Sequence, residues 1–176
     1  MSDKFVRIAA LAQVLSVALL LGVPTVILAQ MLYSGPRGVT RELTGLGIEV
    51  ATDLPLHGLA AAYVIIALSL LCTIGALWHM SRLFGCFRRQ QVIHLQSTHH
   101  VTRLGQFLLI RALLGIISVP VLTVLLTIQQ PAGERQLAFA LSSQDIWALL
   151  GGALLVMIGY AFSRAVEIEV ENRAFI

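Results

Sequence analysis

Charge is scarce in this sequence. Only 12% of its 176 residues are Asp, Glu, Lys or Arg, about half the share found in ordinary soluble domains. A soluble domain of this length could not cover its surface with so few charges. Cysteine is scarce as well, with Cys72 and Cys86 the only two. On one helix they would stand about 21 Å apart, too far to bridge, so both are read as thiols in packing or surface roles. Catalytic signatures are also lacking. There is no Gly-rich phosphate loop, no G-x-S-x-G, no H-E-x-x-H and no Cys/His pair at a useful spacing, which points away from an enzyme.

Apolar residues make up 57% of the chain, and the mean hydropathy is +0.86. Four runs are long enough to cross a hydrocarbon core of about 30 Å, which takes about 20 helical residues. They cover residues 8–32, 56–78, 104–128 and 146–162, and the fourth is expected to continue as a helix past the membrane. The expected fold is therefore an all-α membrane protein, one domain of four transmembrane helices. The first run follows Lys4 and Arg7 as a signal peptide would, but it exceeds the 7–15 apolar residues typical of a signal core. It is read as a retained helix.

Arg and Lys orient the spans. Lys4, Arg7, Arg82, Arg88, Arg89, Arg103, Arg164 and Arg173 fall on one side, and Arg37, Arg41 and Arg135 on the other. The excess marks the cytoplasmic side. Both termini, the loop 79–103 and the tail 163–176 are then cytoplasmic, and the loops 33–55 and 129–145 lie outside. The pI of 9.3 is accounted for by these flanking residues, so no direct nucleic-acid binding is expected.

On the outer side, Leu137, Phe139 and Leu141 alternate with smaller residues, the pattern of a strand. With the β-branched stretch Ile48 to Val50 they are expected to form a short paired ribbon. Ser142 precedes Asp145 by three residues, the spacing of a capping box, and marks the start of the fourth helix.

The central segment is "WHMSRLFGCFRRQQVIHLQSTHHVTRLG". Met80, Leu83, Phe84 and Phe87 follow helical spacing and form one apolar stripe, with Arg82, Arg88 and Arg89 off it. This reads as the second helix emerging past its apolar run and lying along or leaning on the membrane surface, the pattern of a topology anchor. It also suits a docking surface for a cytoplasmic partner or anionic lipid, carried by Arg82, Phe84, Phe87, Arg88 and Arg89. His79, His94, His99 and His100 raise metal or haem as alternatives. No pair stands four apart and no acid lies nearby, so neither metal nor cofactor is assigned.

Arg111 is the one cation inside an apolar run, about 10 Å from its cytoplasmic end. An intramembrane cation either marks a functional site or snorkels to the headgroups. The expectation is a polar cluster of Gln13, Thr73, Arg111, Tyr160 and Glu167. Ala148, Gly152, Gly159 and Ser163 share one face of the fourth helix, and Gly115 and Ser118 share the face of Arg111. Such small-residue stripes favour close helix approach in membranes.

The stretches "SRLFGCFRRQQVIHLQSTHHVTRLGQFLL" and "LSSQDIWALLGGALLVMIGYAFSRAVEIEVENRAFI" resemble the bacterial domain of unknown function 2975 family. The similarity runs from about Trp78 onward and includes the four-span plan. Where that family often has Gly or Glu and then an aromatic after its basic pair, this chain has Gln90, Gln91, Val92, Ile93 and His94. The resemblance implies a small protein of the bacterial inner membrane. Members are often encoded beside a helix-turn-helix regulator, which implies a regulatory partner.

The functional expectation is a membrane-embedded interaction or regulatory protein, held in the lipid bilayer. It would present its central loop and acidic tail to a cytoplasmic partner, with self-association left open. The alternatives are a small transporter or channel subunit using Arg111, and a haem or quinone redox protein using the loop histidines.

Overall fold

The structure, a computed structural model, describes residues 3–45, 56–89, 95–128 and 137–174. Four helices account for nearly all of them: α1 (Asp3–Gly45), α2 (Leu56–Arg88), α3 (Leu95–Thr127) and α4 (Ser143–Ala174). All four are long and apolar enough to cross a membrane. No β-strand occurs among the described residues.

Each helix outruns the apolar stretch that announced it. α2 and α3 contain 33 residues each, which gives about 50 Å of helix against a core of about 30 Å. Most of the expected 79–103 loop is therefore helical and continues α2 and α3. The expected 33–55 loop is likewise helical as far as Gly45. There the axis breaks at Gly35, whose φ of 52° lies in the left-handed region that glycine enters without a Cβ penalty. Pro36 follows, and its fixed φ suits the first turn of a new helical piece.

The helices pack in sequence order: α1 on α2, α2 on α3, and α3 on α4. Among the described residues no other helix pair is in close backbone contact, so the four form an open row. This explains why large apolar side chains such as Leu11, Leu21, Leu71, Ile117, Leu154 and Met157 remain exposed along every helix. In a bilayer, lipid covers such surfaces.

The α3–α4 contact is the closest. A Cβ on Gly105 would run into the Gly152 carbonyl oxygen and the Val156 nitrogen, and one on Gly152 would meet Leu109 and the Gly105 carbonyl oxygen. A Cβ on Gly159 would overlap Thr102. Gly152 and Gly159 thus face α3, as the stripe on α4 suggests, and Gly105 is the matching residue on the other helix.

One end of the row is rich in Arg and holds the start of α1, the end of α2 and the start of α3. At the opposite end Val39, Ala62, Val119, Leu122 and Leu126 form a buried apolar cluster. Residues 137–142 adopt neither helix nor strand, and their Ala138 and Ala140 pack on this cluster. Leu137, Phe139 and Leu141 are exposed. The alternation in this segment therefore separates small residues facing α3 from large ones facing away. The other half of the expected ribbon, Ile48 to Val50, lies outside the described residues.

Candidate functional site: an intramembrane cleft at Arg111

Ser142 caps α4. Its Oγ accepts the Asp145 backbone N–H at 3.1 Å and donates to Asp145 Oδ2 at 2.6 Å. In a capping box the acidic side chain reaches the backbone of the cap residue; here it takes the cap's hydroxyl instead. The other carboxylate oxygen, Oδ1, stands 3.9 Å from Arg111 Nη1.

The depth of this pair is set by α3. A Cβ on Gly115 would collide with the Asp145 carboxylate, so Asp145 is level with Gly115. Gly115 lies twelve residues before Thr127, or about 18 Å along the helix. α4 therefore begins near the middle of the apolar run of α3. The 137–142 segment spans the missing length, tied by a 3.4 Å hydrogen bond from the Ala138 N–H to Thr123 Oγ1. Thr123 is fully buried and donates to the carbonyl oxygens of Val119 and Pro120.

A cleft of about 660 Å³ opens between α1, α2, α3 and this segment. Arg111, Asp145, Ser142 and Gln144 line one part of it, together with Ser69, Thr73 and Ser118. The Thr73 and Ser118 hydroxyls donate to carbonyls of their own helices, those of Ser69 and Gly115. Ile27, Met31, Ile66, Leu70, Val119 and Leu122 form much of its apolar wall.

The residues expected to surround Arg111 are dispersed. Thr73 shares the cleft with it. Gln13 lies toward the Arg-rich end against Gly85, and among the described residues its buried Oε1 accepts no hydrogen bond. Tyr160 is 72% exposed on α4. Glu167 accepts a 2.8 Å hydrogen bond from Arg164 three residues earlier. The ion-pair partner of Arg111 is Asp145, which sequence reading assigned to the outer end of α4. The capping motif was the available signal for Asp145, but its depth depended on the course of residues 137–142.

At the Arg-rich end, the apolar stripe faces inward. Leu83 is buried, and Phe87 packs with Phe84 and with Phe5 of α1 at ring-centroid distances of 6.4 and 6.3 Å. Arg82, Arg88 and Arg89 are exposed, with the Arg82 guanidinium 5.0 Å from the Trp78 ring centre.

His79 Nδ1 and His100 Nδ1 are 3.0 Å apart, and His79 stacks on Phe107 at 5.6 Å. Both histidines lie past the apolar stretches. Burial, and then the neighbouring cationic side chains, push both imidazoles below the ordinary histidine pKa. His99 is adjacent, its ring 6.3 Å from His79 and 5.9 Å from His100. Among the described residues no three His, Cys, Asp or Glu side chains are arranged to hold a metal ion. His94 lies outside the described residues.

No family model, curated protein or solved structure matches this chain.

Proposed function

We propose that this chain is a multi-pass protein of the bacterial inner membrane that acts by binding a cytoplasmic partner and catalyses no reaction. The observation that carries the reading is the continuation of α2 and α3 past their apolar runs as a helical hairpin. Its inward face is fixed by Leu83, Phe84 and Phe87, which leaves Arg82, Arg88 and Arg89 on the outside. A rigid basic surface loses little conformational entropy on binding. The resemblance to the domain of unknown function 2975 family supports a regulatory protein as that partner. A photo-crosslinking amino acid in place of Arg88 tests the reading in living cells. We expect a discrete protein adduct that disappears when Arg82 and Arg89 are changed to Glu. Labelling of lipid alone overturns it.

A second reading rests on the cleft. Irregular backbone at membrane depth is tolerated where it is buried in protein or lines a cavity, and Ala140 and Ser142 of the 137–142 segment line this one. The ion pair beside that segment supports a small transporter that uses Arg111. Reconstituted flux abolished by Arg111→Ala, with the fold intact, would favour it over the partner-binding reading.

A further inference from the structure

The Arg111 guanidinium is only partly committed. Its contact with Asp145, at 3.9 Å, is an ion pair beyond hydrogen-bond length. A guanidinium presents five N–H donors, and among the described residues none of them has a hydrogen-bond acceptor. Its side chain is 36% exposed, against 11% for Asp145, and it lines the cleft.

Asp145 is the better satisfied partner. It holds the Ser142 hydroxyl at 2.6 Å and lies in the first turn of α4, where the helix dipole and unpaired N–H groups favour negative charge. Its charge is therefore shared between Ser142, the helix terminus and Arg111, and Arg111 keeps attraction for a second anion. Thr73 and Ser118 spend their hydroxyl protons on their own helices, so Arg111 is the strongest donor lining the cleft.

Away from these polar groups Ile27, Met31, Ile66, Leu70, Val119 and Leu122 form an apolar wall, and the cleft's volume of about 660 Å³ falls in the range of small-molecule sites. Because the helices form an open row, a molecule dissolved in the bilayer can reach it sideways. We propose that this cleft binds a single-chain amphiphile with an ionised carboxylate head, the carboxylate taken by Arg111 and the chain lying along the wall formed by Ile27, Met31, Ile66, Leu70, Val119 and Leu122. This site is separate from the basic hairpin and does not depend on a partner there.

The test uses the full chain in lipid nanodiscs, with parinaric acid, a fluorescent long-chain carboxylic acid, as probe and protein-free nanodiscs as the partition control. We expect saturable binding displaced by palmitic acid but not by methyl palmitate or acetate. Arg111→Gln should weaken it about tenfold or more, as for loss of a charge-assisted hydrogen bond. Ser69→Phe, which fills the cleft from α2 and keeps both charges, should do the same even if the Arg111 variant fails to fold. Competition by methyl palmitate as strong as that by palmitic acid removes the role of the head. Equal competition by acetate removes the role of the chain. Absence of saturable binding, or full binding in Ser69→Phe, overturns the site.

Discussion

Asp145, the third residue of α4, rests against Gly115 near the middle of the apolar run of α3. The fourth helix therefore starts inside the layer that the third one crosses, and an ion pair to Arg111 is formed there. The cleft, the 137–142 segment and the exposure of Arg111 all follow from this register.

The register depends on glycine. Gly105→Ala places a methyl group against backbone atoms of Gly152 and Val156, which cannot rotate away. Overpacking of this kind costs about 1–3 kcal/mol. Gly151→Ala meets nothing within 4 Å and should be neutral or stabilising by up to about 1 kcal/mol through helix propensity. Unfolding in mixed micelles measures both. Equal effects at the two positions would remove the claim of close α3–α4 contact.

The cap of α4 should be separable from the ion pair. Ser142→Ala removes the hydroxyl that binds both the Asp145 N–H and its carboxylate, at a cost of about 0.5–2 kcal/mol. Ser142→Gly should cost less, because glycine is tolerated at this position. Hydrogen exchange of the first turn of α4 reports the change, and unaltered protection in Ser142→Ala would show that the cap is idle.

The His79–His100 contact should respond to pH. Both imidazoles are held below the ordinary value of about 6.5, so a separated or unfolded state binds more protons as pH falls. The contact's contribution to stability is then full above about 6.5 and is lost as pH drops through the depressed values. Protonation of both rings would set two N–H donors face to face, beside His99, Arg82 and Arg103. Spin labels near the ends of α2 and α3 should show separation on acidification. His79→Phe should abolish the response, and a distance independent of pH in the natural protein would contradict this account.

Orientation follows from the distribution of Arg and Lys. Reporter fusions at Gly45 and Gly133 should report the outer side, and a fusion after Gln91 the cytoplasmic side. The reversed pattern would also place the basic hairpin where no cytoplasmic partner can reach it.

Sequence alone determined the class of this protein, because membrane spans are recorded locally. A run of about 20 apolar residues with few charges can satisfy its backbone in lipid only as a helix, and four such runs are visible without any knowledge of contacts. The stripe ending in Phe87 and the serine cap of α4 were legible for the same reason, since each is completed within a few residues of chain. Helix lengths were less so: the extension of α2 carries the stripe ending in Phe87, but the start of α3 has no apolar signal and is held by contacts such as His79 with His100. The partner of Arg111 was a matter for the tertiary structure. Tyr160 and Glu167 are on the same helix as Asp145, and only the register of α4 against α3 decides which of them meets the guanidinium. That register is set where Gly105 meets Gly152 and where Ala138 bonds to Thr123. Both contacts join residues on different elements, and a stripe or an alternation in the sequence shows which face is small but not which residue of the other helix it meets.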